Sequence, residues 1–381
     1  MIVVTTEKLP IKMWLDTIEE TALAQARNLA NLPFAFRHVA LMPDSHVGYG
    51  MPIGGVLATR GVIVPNAVGV DIGCGMTAVR TSIEEIDDAS IKEIMGRIRK
   101  AVPMGFAHHK EPREWDGFDR APDIKVIQEE LKSARCQLGT LGGGNHFIEI
   151  QAGSDGRIWL MLHSGSRNFG LKVAKAYHGV AKELCARWRS DVPDPDLSFL
   201  PMDTPEGREY FEAMGYCLDF AEASRAEMMR QVVAASLEYG RSSVEALPMS
   251  VHHNYAAMEH HFGSDVMVHR KGAIRARLGE RGIIPGSMGA ASFVTWGLGN
   301  EESFQSSSHG AGRRMGRKAA IQGLVLADEQ AKMAGIIHGL RNQGDLDEAP
   351  GAYKDIDEVM ANQADLVRIM VRLRPLASIK G

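Results

Sequence analysis

The chain has 381 residues, 45% hydrophobic and 24% charged, with a formal net charge of −4. These proportions belong to a folded protein and exclude a disordered or fibrous one; no run reaches the ~18 apolar residues of a membrane span, so no membrane contact is expected. The slight negative charge leaves any nucleic-acid contact to a local basic patch, and 40 glycines against 6% aromatic residues suggest tight turns lining a polar cavity more than a base-stacking surface.

The opening MIVVTTEKLPIKMW lacks the basic segment and long apolar core of a secretory signal. Cys74, Cys136, Cys185 and Cys217 form no CxxC pair. That speaks for a reduced, cytoplasmic setting and against a disulfide framework or zinc finger. Cys136, Cys185 and Cys217 read as buried core residues.

Residues 14–30 place Trp14, Leu15, Ile18, Ala22 and Leu29 on one helical face. Residues 38–80 break into short apolar runs split by Gly, Pro and Asn, the pattern of strands joined by tight turns. Ser90 caps an amphipathic helix, IKEIMGRIRK, and residues 105–123 form a polar loop in which His108 and His109 are exposed. A helix covers 171–188. Pro205 opens another that reaches about Gly240, in one piece or with a single break. Strands and glycine turns return over 265–300. Helices follow around 312–340 and near 355–365, on either side of an acidic loop at 344–350. The final LVRIMVRLRPLASIKG alternates as a strand that carries Lys380 inward. No repeat or linker is evident. The glycine-rich segments 38–80, 138–166 and 248–311 must meet in space to share a core. That predicts one large α+β domain over residues 1–381, with helical insertions around a central polar cavity.

The densest chemical signal is VGVDIGCGM, where Gly73 and Gly75 allow Asp71 and Cys74 to converge on one point. His146 follows three glycines beside Asn145 and precedes Glu149. His163 ends an apolar strand before a small-residue turn and Arg167. His253 stands in His252-His253-Asn254. Asp71, Cys74, His146, His163 and His253 offer O, S and N donors, enough for two metal ions if the thiolate bridges; zinc, iron, cobalt or manganese would suit them. His38, His178, His260, His261 and His338 lie in helices or beside charges and carry no role. In SSSHGAGRRMGRK, His309 precedes Gly310-Ala311-Gly312, and Arg313, Arg314, Arg317 and Lys318 follow, four cations within six residues that make an anion site. IIPGSMGAAS adds a Gly/Ser turn suited to a nucleotide, and HRKGAIRAR a second basic strip.

The ordered motifs PDSHVGYGMPIGG, VGVDIGCGM, LGGGNHFIE, LHSGSRNFG, HHN, HRKGA, PGSMG, SHGAGR and a terminal Lys-Gly resemble the RtcB family of RNA ligases, over roughly residues 38–381. The resemblance implies a fold of the family's own. It also implies an enzyme that joins RNA 3′-phosphate or 2′,3′-cyclic phosphate ends to 5′-hydroxyl ends, in tRNA splicing or RNA repair, with GTP as co-substrate and two Mn²⁺. Asp71, Cys74 and His146 would hold one ion and Cys74, His163 and His253 the other; His309 would take GMP. Asn145 and Asn254 would contact phosphate, and Glu149, Ser292 and Lys380 guanine. The nucleotide would lie among His146, Phe147, Ile148 and His253, with Pro285, Gly286, Ser287, Met288 and His309 to Gly312 framing it. Arg167, Lys271, Arg313 and Arg317 would meet RNA phosphates, and an archease-type activator is an implied partner. Ala290 stands where the family usually has Thr, and Gly316 where it has Ser. A dinuclear metal phosphoesterase and a non-catalytic RNA-binding protein are the competing readings. His309 and Glu149 argue against the first; Cys74 between two glycines and the scarcity of aromatics argue against the second.

Overall fold

The computed structural model describes residues 1–237, 243–245 and 248–381. Its first strands are β1 (Ile2–Val4), β2 (Ile11–Met13), β3 (Ala35–His46), β4 (Ile53–Thr59) and β5 (Val62–Ile63). β6 (Gly75–Arg80), β7 (Phe147–Gly153), β8 (Ile158–Ser164) and β9 (Leu200–Pro201) come next. Then follow β10 (Met249–His252), β11 (Asn254–His261), β12 (Ser264–Lys271), β13 (Ala273–Arg275) and β14 (Arg281–Ile284). The last are β15 (Ser292–Gly297), β16 (Ser306–Ser308) and β17 (Val367–Lys380). Most of them make two sheets, in the orders β1-β2-β3-β4-β12-β11 and β10-β6-β8-β7-β17-β15-β14.

Neighbours in space are often remote in sequence: β4 pairs with β12, β6 with β10, and β7 with β17. The separated glycine-rich segments therefore do meet, in the α+β architecture expected. One apolar cluster draws Ala40, Met42, Val56 and Val268 from the first sheet and Ile284, Phe293 and Val367 from the second, so part of the core lies between them.

The helices are α1 (Glu20–Ala30), α2 (Pro65–Val68), α3 (Asp88–Ala101), α4 (Lys125–Gln137) and α5 (Arg167–Trp188). α6 (Pro205–Leu237), α7 (Arg317–Gly323), α8 (Leu326–Lys332) and α9 (Ile356–Ala361) complete the set. Ile94 and Ile98 of α3 and Met228 and Val232 of α6 pack with Ile148, Ile150, Leu160 and Ile379 of the second sheet. Phe169 and Tyr177 of α5 join Tyr210 and Phe220 of α6 and Ile127 of α4 in another cluster. Among the described residues no helix is long and apolar enough to cross a membrane.

Several local expectations are corrected. The first helix starts at Glu20, not Trp14. The Trp14 amide instead continues the β2–β3 pairing through Leu41 O at 3.0 Å, and its indole N–H donates to Asp365. The cap of α3 is Asp87, which accepts from the Ser90 amide and hydroxyl at 2.9 and 2.8 Å. α4 was not foreseen, although Ile127, Leu131 and Ala134 recur at helical spacing. α6 is unbroken to Leu237; the expected end near Gly240 lies outside the described residues. Cys136 is only half-buried, whereas Cys185 and Cys217 are buried. His109 is half-buried and meets Arg113 at 3.2 Å. His38 lies in β3, stacked on Phe304 at 4.5 Å, and His261 is buried against Glu259; neither lines the cavity described next.

Candidate active site

Strand register brings the five expected donors together. Asp71 and Cys74 occupy the loop between α2 and β6. His146 immediately precedes β7, His163 lies near the end of β8, and His253 sits between β10 and β11. Met76 of β6 and Phe147 of β7 both pair with His163, and His252 pairs with Gly75. Gly73 has φ +75°, a conformation other residues resist, and it turns the chain so that Cys74 N donates to Asp71 O at 3.1 Å.

The donors form two overlapping sets, Asp71–Cys74–His146 and Cys74–His163–His253, each with its ligand atoms within 4.8 Å of one another. Cys74 Sγ is 3.4 Å from His146 Nε2 and 3.2 Å from His163 Nε2. His146 Nε2 is 3.2 Å from Asp71 Oδ2, and the Nε2 atoms of His163 and His253 are 2.9 Å apart.

The hydrogen bonds show what this set needs. His163 Nδ1 faces the Asn145 carbonyl at 3.1 Å and so carries the proton. The Asn254 amide is oriented by donating to Asp71 O at 3.1 Å and accepting from Gly272 N at 2.8 Å. Its oxygen therefore accepts from His253 Nδ1 at 3.3 Å. Both Nε2 atoms are then lone pairs pointing at each other and at sulfur. Burial holds both imidazoles well below their usual pKa, which disfavours a bridging proton. Asp71 Oδ1 is buried without a partner. Facing lone pairs, a thiol and a spare carboxylate oxygen fit divalent cations of the borderline class. Burial, then Asp71, pushes the Cys74 thiol well above its usual range; a cation beside it would reverse that.

His309 follows β16, with its ring centroid 4.6 Å from that of His253. Its Nδ1 lies 2.6 Å from Oδ2 of Asp44, a fully buried carboxylate that also accepts from the His309 amide at 3.1 Å. This pins the proton on Nδ1 and leaves Nε2 as a lone pair. A side chain at Gly312 would come within 2.1 Å of Asp44 O, so glycine is needed for this approach. Asp44 was not singled out from the sequence. Its signal was a carboxylate ending the apolar run HVALMPD.

Strand alternation sorts the expected nucleotide residues. Phe147 and Glu149 line the cavity, whereas Ile148 points into the core on the other face. Asn145, Asn254, Pro285 to Met288 and Gly310 to Gly312 also line it, with Arg313, Arg317 and Lys380. Ser292 stands behind this lining: its hydroxyl accepts from Gln151 at 3.0 Å, and the same Gln151 amide donates to Glu149 at 2.7 Å. Burial pushes Glu149 up to about 7, against the opposing pull of Lys380, Ser378 and Gln151. Lys380 pairs with Phe147 in the β17–β7 register and holds its ammonium 5.3 Å from that ring, so the strand does carry it inward.

Glu348, also not foreseen, is buried and gathers Arg313 at 3.1 Å, Arg317 at 3.2 Å and Lys380 at 3.8 Å, with the Tyr353 hydroxyl. Arg167 donates to Gly105 O at 2.7 Å and Thr140 at 3.0 Å. Lys271, expected as a contact for RNA phosphates, is buried. Only 4% exposed, it donates to the carbonyls of Tyr49 and Asn66 at 2.6 and 3.0 Å. Gly316 is the N-cap of α7 and offers no side-chain bond there, where the family's usual Ser would.

Donors from several strand ends, an oriented imidazole and a cationic wall around one cavity have the build of a metal-dependent enzyme. The profile of the family tRNA-splicing ligase RtcB matches residues 25–120 and 113–381. The RNA-splicing ligase RtcB of Escherichia coli K12 is 40% identical, covering 99% of this chain and 98% of that protein. The tRNA-splicing ligase RtcB of Pyrobaculum aerophilum is 32% identical over 98% and 95%, and the RNA-splicing ligase RtcB of Mycobacterium tuberculosis 31% over 94% and 100%. The chain belongs to the RtcB family.

Proposed function

We propose that this chain, working as one catalytic domain over residues 1–381, is a GTP- and Mn²⁺-dependent RNA ligase. It would join RNA 3′-phosphate or 2′,3′-cyclic phosphate ends to 5′-hydroxyl ends. The observation that carries this reading is the His309–Asp44 pair, an imidazole with a free Nε2 beside two cation-donor sets. Two divalent cations, when bound, offset phosphate charge. His309 Nε2 attacks the α-phosphorus of GTP; the N–P bond forms as the bond to the pyrophosphate oxygen breaks. Asp44 keeps the Nδ1 proton and offsets the charge gained by the ring. An oxygen of the RNA 3′-phosphate then takes the GMP, returning His309 to neutrality. The 5′-hydroxyl oxygen attacks that activated phosphate, losing its proton, and GMP leaves. A cyclic end is first opened by water. Arg313 and Arg317 are the cavity-lining cations suited to RNA phosphates.

The test is incubation with labelled GTP, Mn²⁺ and RNA carrying a 3′-phosphate and a 5′-hydroxyl. A covalent guanylate on the protein and a joined product are expected; phosphate release without either would point to a phosphoesterase. Asp44→Asn disturbs the tautomer and leaves the metal donors intact. It should slow guanylylation on the order of 10³-fold, with metal content unchanged. An unchanged rate would remove Asp44 from the mechanism.

Guanine presents donors at N1 and N2 and an acceptor at O6; adenine lacks the N1 proton and carries an amino group in place of O6. An ionised Glu149 accepts from the first edge, and Lys380 donates to O6. Glu149 has a folded pKa of about 7, above the 4.5 of an unperturbed group, so its contribution to fold stability is fullest below 4.5 and is lost as pH rises through 7. Base reading runs the opposite way, because it needs the ionised form. The preference for GTP over ATP should rise through pH 7 in the wild type. It should be flat and about 5- to 150-fold smaller in Glu149→Gln, with Lys380→Ala reduced similarly. Both variants should keep their metals and join RNA that already carries a guanylylated 3′ end. Equal losses with and without that activated end would mean that these residues do not read the base.

A further inference from the structure

α6 carries Arg225, whose side chain has no exposed surface. Its NH1 donates to Gly73 O at 2.8 Å and Ser164 O at 3.1 Å. Its NH2 donates to His252 Nδ1 at 3.1 Å and lies 3.4 Å from Ser250 Oγ. The pattern matters because of what stands next to these partners. Gly73 precedes Cys74, Ser164 follows His163, and His252 precedes His253. One guanidinium thus touches the chain neighbour of every donor in one of the two cation sets. We infer that Arg225 is the positioning residue of the Cys74–His163–His253 cation site, fixing the spacing of three donors that come from three separate segments of the chain.

This rests on the two-cation reading above. Chemistry favours the role. A guanidinium only donates, so the carbonyls accept from it, and His252 Nδ1 accepts in the tautomer whose proton is on Nε2, facing Glu222 at 3.8 Å; Nδ1 also lies 3.2 Å from Gly73 O, inside the same cluster. That fixes the ring of His252 and the backbone that leads into His253. The planar fork bonds two carbonyls with one nitrogen and a ring with another, which a lysine's single ammonium cannot do in the same geometry. A buried guanidinium is costly, and among the described residues no carboxylate forms an ion pair with it; burial lowers its pKa to about 10. Its place is explained by what it holds. No chain neighbour of Asp71 or His146 is bonded to Arg225, so the effect should be selective: of the Asp71–Cys74–His146 set, only Cys74 is reached, through Gly73.

Cobalt(II) titration of metal-free protein tests this, read as bound ions per chain and as thiolate-to-cobalt charge-transfer absorption. Wild type should bind two ions, and Arg225→Lys should bind one of them at least about tenfold more weakly. The site is identified by background. In His146→Ala, where only the Cys74–His163–His253 set is complete, adding Arg225→Lys should cost the full effect. In His253→Ala it should change the remaining affinity by less than about twofold. Equal weakening in both backgrounds, or none in either, would overturn the assignment. If Arg225→Lys does not fold, His252→Phe removes the nearer NH2 partner, leaving the two carbonyl bonds of NH1, and should weaken the ion about threefold in the His146→Ala background; unchanged affinity there overturns it too. A wild type that binds fewer than two ions would instead refute the two-cation reading itself.

Discussion

His309→Ala should leave no covalent guanylate on the protein, a loss of more than about 10⁴-fold in labelling, as deletion of a covalent nucleophile produces elsewhere. The physical reason is the single free lone pair at Nε2, set by the 2.6 Å contact of Nδ1 with Asp44. The wild-type adduct should be labile in acid and stable in alkali, as a phosphoramidate is. His309 belongs to neither cation-donor set, so metal content should match wild type. RNA supplied with a guanylylated 3′ end bypasses the missing step and should still be joined. An intact-mass adduct that survives in His309→Ala would sink the assignment, and loss of the bypass reaction would show that the ring does more than carry GMP.

Cys74→Ser should be nearly as severe, because Cys74 is the one residue common to both donor sets. A hydroxyl is a hard donor that stays protonated where a thiolate ionises beside a cation. At least one ion should be lost and the affinity for the other should fall by more than about 100-fold, beyond what changes outside the ligand shell produce. Guanylylation should fall with it. Elemental analysis finding two ions per chain with normal labelling would refute the shared role. The same dependence on thiolate predicts that oxidation of Cys74 to the sulfenic acid blocks cation binding and that a thiol reductant restores it.

What could be read without coordinates was chemistry that sits within short segments. Asp71 and Cys74 share one glycine turn, Asn145 to Glu149 one strand start, and His309 to Gly312 one loop; ordered motifs of that kind identify the family and the α+β class. Even within a segment the orientation of side chains needed the sheet. Ile148 was grouped with Phe147 and Glu149, yet the two-residue alternation of β7 turns it into the core. Helix limits shift where tertiary contacts outweigh periodicity, as at Trp14, whose amide bonds Leu41 O just past the end of β2.

The sequence by itself determined the donor types, the nucleophile candidate and the family. Only the tertiary structure decided which distant residues support them. Asp44 lies 265 positions from His309, Gln151 stands 141 from Ser292, and Glu348 is drawn to Arg313 and Lys380 by folding. Lys271 belongs to a basic strip in the sequence, but the chain folds over it and two carbonyls accept hydrogen bonds from its ammonium. Arg225 carries no motif at all, being one basic residue in a long helix, and acquires meaning only where three distant segments meet against it. The physical reason is common to these cases: burial makes every charge and polar atom find a partner, and that partner is chosen by proximity in space, which local sequence does not encode.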